Sequence, residues 1–193
     1  MDALFGGSFD PVHLGHLIVA EAAAEALGAD ARVRFVPARE QPFKRAAHGA
    51  SPEQRAEMLD LAVRGNARFA VERIELHLPA PSYTVQTLRA LRAREPETRF
   101  ALLVGADAAR EIPTWREAGE LSRLAGVVAF ARGGVAAPGN GIVDRVIEVP
   151  AVAISATEIR ARVALGRSIR YLVPDAVGDY IARHGLYRQG VPC

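Results

Sequence analysis

The chain has one cysteine in 193 residues, and it is the last residue, Cys193. An intrachain disulfide is therefore excluded, as is a metal site built on several thiolates, and a reducing, cytoplasmic compartment is the expectation. Long apolar runs are missing too. No stretch approaches the roughly 18 apolar residues that a membrane helix needs, and the opening Met1-Asp2-Ala3-Leu4-Phe5-Gly6-Gly7 has neither a basic leader nor a sustained apolar segment. Neither secretion nor a membrane partner is expected. Charge of one sign is not in excess: 24 Lys and Arg face 22 Asp and Glu, a net +2. The arginines are spread along the whole length, so nucleic-acid binding has no compositional support. Lysine is almost absent. Lys44 is the only one, the single place where a compact ammonium is kept among guanidinium groups.

What is present is alternation. Short β-branched, apolar runs at Ala3 to Gly6, Arg32 to Pro37, Phe69 to Leu78, Arg99 to Val104, Val127 to Ala131 and Val146 to Val149 read as strands. Between them lie segments of helical period. Leu14 to Leu27 carries Leu17, Ala20, Ala24 and Leu27 on one face, with Gly28 as a stop. A second helix begins at Ser51-Pro52-Glu53-Gln54, where Ser51 caps, Pro52 takes the first helical position and Gln54 completes a capping box. Further helices are predicted at about Val85 to Arg94, Arg116 to Leu124, Thr157 to Leu165 and Pro174 to Arg183. Strands alternating with helices of this length predict an α/β fold, a Rossmann-like doubly wound parallel sheet with helices on both faces. The length suits a single domain over residues 1–193, with a small C-terminal helical portion from about residue 155. No repeat or linker interrupts it, and Gly133 to Gly141 reads as a Gly/Pro-rich surface loop.

Ligands of such sheets bind beyond the carboxyl ends of the strands, and the first strand-helix turn is the usual phosphate site. Here that turn is Gly6-Gly7-Ser8-Phe9-Asp10-Pro11-Val12-His13-Leu14-Gly15-His16. Glycines permit close backbone approach, and the following helix start offers free N–H groups to an anion. His13 and His16, three apart, fall on one face near that anion, where each has N–H groups to donate. The G-x-G-x-x-G dinucleotide fingerprint is absent. Helix capping or half of a zinc site are the alternatives for the two histidines, although His48, His77 and His184 show no ligand spacing that would complete a metal site. Late in the chain, Ile154-Ser155-Ala156-Thr157-Glu158-Ile159-Arg160 reads first as a capped helix start, with Ser155 and Glu158 three apart. The same residues also make an anion site, in which the Ser155 and Thr157 hydroxyls, bare N–H groups and the Arg160 guanidinium converge.

Gly7-x-Phe9-Asp10-Pro11-x-His13-x-Gly15-His16 resembles the signature of the nucleotidyltransferase superfamily marked by the H-x-G-H motif, and Ser155-x-Thr157-x-x-Arg160 resembles its second signature. Within it the chain is similar to the bacterial nicotinate mononucleotide adenylyltransferase family over nearly its whole length. The resemblance implies ATP and nicotinate mononucleotide as partners, with Mg²⁺ arriving on the ATP and no resident metal. It implies that His13, His16 and Arg160 are catalytic, and that Gly6, Gly7, Ser8, Phe9, Gly105, Asp107, Ile154, Ser155 and Thr157 join them in holding ATP. Lys44, in a segment resembling the family's Pro-His-Lys loop, is implied in binding the mononucleotide phosphate; Phe43 stands where the family usually has histidine. Tyr83 and Thr84, within Ser82-Tyr83-Thr84, are implied at the nicotinate carboxylate, and Trp115 against the pyridine ring. Arg55 and Met58 match the family's next helix, and Tyr171 to Pro174 and Gly185 to Tyr187 its closing segment. A homo-oligomer is left open. Pantetheine-phosphate adenylyltransferase and a non-catalytic nucleotide-binding protein are the competing readings.

Overall fold

The computed structural model describes residues 1–40, 49–132 and 141–188, with only the backbone of Arg132. Its elements run β1 (Asp2–Gly7), α1 (Leu14–Leu27), β2 (Arg32–Pro37), α2 (Pro52–Val63), β3 (Phe69–Val71), α3 (Ile74–His77) and α4 (Thr84–Arg94). They continue with β4 (Phe100–Gly105), α5 (Ala106–Glu111), a 3-10 turn (Ile112–Thr114), α6 (Ala118–Leu124), β5 (Gly126–Arg132), β6 (Arg145–Val149), α7 (Ala156–Ala164) and α8 (Asp175–Arg183). Lys44 and Phe43 lie outside the described residues, as does all of the Gly133 to Gly141 loop except Gly141.

The six strands are ordered β3-β2-β1-β4-β5-β6, and every neighbouring pair is parallel. Side chains alternate across such a sheet, and here each face is covered. Ala3, Phe5, Val33 and Phe35 pack with Val19 and Ala23 of α1, Met58 and Leu59 of α2 and Val177 of α8. On the opposite face Leu4, Val36, Leu102 and Val104 pack with Val85, Leu88 and Leu91 of α4 and Leu121 of α6. The chain winds outward from β1 to β3, returns across the sheet, and winds outward again from β4 to β6. The strand order therefore reverses between β1 and β4, which is where a doubly wound sheet leaves a crevice. No helix among the described residues is long and apolar enough to cross a membrane.

Local signals place most elements. The Ser51 hydroxyl accepts from the Gln54 N–H at 3.2 Å, the Gln54 amide oxygen accepts from the Ser51 N–H at 2.9 Å, and α2 starts there with Pro52. One expectation fails. Phe69 to Leu78 is not a single strand: β3 ends at Val71, and Ile74–His77 forms a helical turn. Phe69 to Val71 and Ile74 to Leu78 each imitate a half-buried strand, but the apolar positions change parity across Glu72-Arg73, and Glu72 is buried among cations. It pairs with Arg34 and Arg94 and accepts from the Ile74 N–H at 3.1 Å, which turns the chain out of the sheet. The same cluster closes the amino end of β1. Arg34 pairs with Asp2 and grips Glu95 with two hydrogen bonds at 2.9 and 2.6 Å. Arg34, and Arg94 after it, hold the Glu95 carboxyl down at a pKa of about 2.

Candidate active site

The phosphate turn is built around a buried ring. Phe9 is 2% exposed and sits at φ 49°, in the left-handed region that a bulky residue occupies only when its surroundings compel it. Its ring packs edge-on to Phe5 at 5.7 Å and His16 at 5.0 Å between centroids. A side chain at Gly7 would place Cβ 3.0 Å from that ring, so glycine is what lets the strand end pass over it. The Phe9 side chain is therefore a floor under His16, and only its backbone remains for the nucleotide contact expected from sequence.

His13 caps α1 in an extended conformation and is buried, whereas His16 one turn on is half-buried. The two imidazoles stack with centroids 3.7 Å apart and planes 26° from parallel. The His13 backbone N–H donates to His16 Nδ1 at 3.2 Å. An Nδ1 that accepts carries a lone pair, so the neutral His16 ring bears its proton on Nε2 and presents an N–H donor on that edge. Gly15 lies directly under this pair: a Cβ there would meet His13 Nδ1 at 3.1 Å.

The second predicted clamp is brought to the same turn across 150 residues of sequence. Ser155 caps α7, its hydroxyl accepting from the Glu158 N–H at 3.1 Å, which is the hydroxyl half of the predicted capping box. Arg160 Nη1 donates to the Asp10 carbonyl at 2.7 Å and Nη2 reaches Thr157 Oγ1 at 3.4 Å. Ile154 is half-buried beside Gly15. The Asp10 carboxylate in turn accepts from the Gly49 and Ala50 N–H groups at 3.0 and 3.2 Å and from the Tyr187 hydroxyl at 2.7 Å. Burial first, then the Asp10 charge, pushes the Tyr187 pKa upward. Beneath the turn, the fully buried Arg55 donates to the Ser8 carbonyl at 2.6 Å and to the Ala38 carbonyl at 2.7 Å. Burial lowers its pKa, with Asp10 opposing.

A cleft of about 370 Å³ opens at the carboxyl ends of β1 and β4. Gly6, Gly7, Gly105, Tyr83, Thr84, Trp115 and Arg116 border it. Four sequence-predicted substrate or nucleotide segments, far apart in the chain, thus meet at the strand-order reversal. Tyr83 precedes α4, its ring lying under the Arg116 guanidinium at 4.8 Å, and Thr84 is the first residue of α4. Trp115 is half-buried: it packs against the core on the α4 side of the sheet and also borders the cleft. Asp107 stands apart: its exposed side chain pairs with Arg110 at 2.5 Å and does not border the cleft. A larger hollow of about 490 Å³ between α7 and α8, near Arg167 and Ile181, borders none of the predicted site residues. The cleft at the strand ends, not this hollow, adjoins the phosphate turn.

A family model described as cytidylyltransferase-like matches residues 4–162. A protein of Thermus thermophilus (strain ATCC 27634) named "Probable nicotinate-nucleotide adenylyltransferase" is 49% identical over 185 residues, covering 96% of this chain and 98% of its own. One of the same name from Arthrobacter sp. (strain FB24) is 43% identical over 183 residues, covering 94% and 89%. The chain belongs to the nicotinate-nucleotide adenylyltransferase family. The fold of the family is seen again in Plasmodium falciparum nicotinic acid mononucleotide adenylyltransferase complexed with NaAD. That structure aligns at a TM-score of 0.77 over 96% of both chains, with 18% sequence identity.

Glu75 escaped the sequence reading of function. Asp10 and Tyr187, legible only as members of matched segments, gain their importance from partners distant in sequence, and Gly15 from the His13 ring two residues before it. Arg55 had a signal of its own, a charged residue set among the apolar positions Ala56, Met58 and Leu59 of α2, all buried.

Proposed function

We propose that this protein transfers the adenylyl group of ATP to the 5′-phosphate of nicotinate mononucleotide, releasing pyrophosphate and forming nicotinate adenine dinucleotide. The observation that carries the reading is the union of two unlike half-sites: a phosphate turn with His13, His16 and Arg160, and beside it a ring-sized cleft bordered by Tyr83, Thr84 and Trp115. Relatives of that name, 49% identical over nearly the full length, support it.

In this mechanism a phosphate oxygen of the mononucleotide attacks the α-phosphorus of ATP in line. The bond from that phosphorus to the β-phosphate oxygen breaks, and pyrophosphate takes the electron pair. Positioning and charge stabilisation carry such a step. The His16 Nε2–H and the His13 ring face the α-phosphoryl oxygens, and Ser155, Thr157 and Arg160 draw the β- and γ-phosphates toward α7. The donors are imidazole, hydroxyl, guanidinium and backbone N–H, a set suited to phosphate oxygens, so Mg²⁺ enters as part of the ATP substrate and leaves with pyrophosphate. Tyr83 and Thr84 meet the nicotinate carboxylate, Trp115 the pyridine ring, and Lys44, outside the described residues, the mononucleotide phosphate.

The test is pyrophosphate release by purified protein with ATP and Mg²⁺, using nicotinate mononucleotide, nicotinamide mononucleotide and phosphopantetheine as separate acceptors. Strong preference for the nicotinate form is expected. Turnover with phosphopantetheine alone, or with no acceptor, sinks the proposal.

A further inference from the structure

Glu75 is the acidic group that borders the cleft from inside the protein. It is 8% exposed, sits on the short α3 turn, and lies across from the start of α4. A buried carboxyl in the wall of a site that takes an acidic ring is a poor choice unless it does something else, because an ionised group there repels the substrate. Its partner supplies the reason. Glu75 Oε1 accepts from the Thr87 hydroxyl at 2.7 Å, and Thr87 Oγ1 also lies 3.3 Å from the Tyr83 carbonyl. Ser82 is fastened separately: its oxygen accepts from the Arg39 N–H at 3.1 Å, and its own N–H donates to the Glu40 carbonyl at 2.8 Å.

These bonds straddle the two residues assigned to the acid. Ser82 precedes Tyr83 and Thr84, and Thr87 lies one turn after Thr84. The Gln86 and Thr87 N–H groups turn back to the Tyr83 carbonyl at 2.9 and 3.2 Å, which leaves the Thr84 and Val85 N–H groups as the intrahelically unclaimed donors of the α4 start. Burial raises the Glu75 pKa, and hydrogen bonding to Thr87 opposes the rise.

We propose that Glu75 is a positioning residue for the second substrate: by accepting from the Thr87 hydroxyl one turn into α4, it holds Tyr83-Thr84, anchored at Ser82 by the Arg39 N–H and the Glu40 carbonyl, as a rim of hydrogen-bond donors for the ring carboxylate. The inference rests on the proposed adenylyl transfer to nicotinate mononucleotide. Glu75 touches neither ATP nor the reacting phosphorus, so it governs acceptor affinity and acid-over-amide selectivity, and leaves ATP affinity alone. Glu75→Gln keeps the shape but replaces one acceptor with a donor, setting N–H against a hydroxyl. Thr87→Val removes that hydroxyl, and Thr87→Ser keeps it.

The experiment is steady-state kinetics of wild type, E75Q, T87V and T87S with ATP and with nicotinate and nicotinamide mononucleotides. Expected for E75Q and T87V is a KM for nicotinate mononucleotide raised about tenfold or more, a KM for ATP within about twofold, and a reduced nicotinate-to-nicotinamide selectivity. T87S is expected to behave as wild type. Equal rises in both KM values, or an unchanged nicotinate KM in both E75Q and T87V, overturn the inference. If E75Q does not fold, T87V and T87S decide. A wild-type enzyme that does not use nicotinate mononucleotide refutes the proposed function itself, whereas wild-type turnover with indifferent variants refutes only the role of Glu75.

Discussion

Gly15→Ala separates stability from turnover. Gly15 occupies the second position of α1 and is buried under the His13 ring. Alanine is the better helix former by about 1 kcal/mol in a helix interior. At a first-turn position roughly half of that is expected, since fewer helical bonds are at stake. Against it stands the new Cβ at 3.1 Å from His13 Nδ1 and 3.2 Å from Cε1, closer than carbon and a ring normally approach, so the imidazole must retreat by a few tenths of an ångström. The other neighbour, Ile154 Cβ at 3.8 Å, is an ordinary contact and asks for nothing. The fold therefore stays within about 0.5 kcal/mol of wild type, while the stacked His13-His16 pair is displaced. Misplacing a catalytic group by about 1 Å costs roughly 10² in rate, so a shift of a few tenths predicts a kcat lower by about three- to tenfold, or about 0.7 to 1.4 kcal/mol in activation free energy. Thermal unfolding and steady-state pyrophosphate release on the same preparation read both quantities. A variant with wild-type kcat refutes the claim that the exact seat of His13 matters; a fall of several degrees in Tm accompanying the lost activity refutes the claim that the fold is indifferent.

Other perturbations have equally definite signs. His16→Ala removes the donor beside the α-phosphoryl group and should lower kcat by about 10² to 10³; near-normal turnover at saturating substrate contradicts its role. Trp115→Ala should raise the KM for nicotinate mononucleotide by about tenfold with little change in the KM for ATP, the loss of one ring-stacking surface, and an unchanged acceptor KM in steady-state assays tells against that surface. Tyr187→Phe deletes the hydroxyl donated to the Asp10 carboxylate, and should cost about 1.5 to 3 kcal/mol in denaturant unfolding because an ionic acceptor loses a buried partner. Glu95 has its pKa depressed to about 2 from an ordinary 4.5, so its contribution is present above about pH 4.5 and is lost as pH falls toward 2. About 1 to 2 kcal/mol is at stake after solvent screening of this partly exposed group. Glu95→Gln should flatten the acid limb of stability against pH, and a limb of unchanged steepness would count against the Arg34 pairing.

The order of strands and helices was legible in the chain because it rests on local physics. Burial on both faces of a parallel strand demands unbroken apolar runs, and helix starts announce themselves with Ser, Pro and a glutamine or glutamate at fixed offsets. Both segments proposed as phosphate clamps were legible for the same reason, each being a contiguous segment at a helix start. The misread segment, Phe69 to Leu78, alternates only in two halves that change parity at Glu72-Arg73, and the break is held there by the Arg34 and Arg94 side chains, 35 residues before its start and 16 after its end.

By itself, then, the sequence determined the sheet class and the two capped helix starts proposed to hold phosphate, while the side chains assigned to each substrate came from family resemblance. Only the tertiary structure decided that Arg160 reaches Asp10, that Tyr83 and Trp115 border one cleft, and that Glu75, Arg55 and Tyr187 tie distant segments together beside it. The reason is physical. Caps and periodicity depend on neighbours within about four residues, whereas a buried charge or hydroxyl is placed by whatever distant group satisfies its hydrogen bonds, and that pairing exists only once the chain has closed on itself.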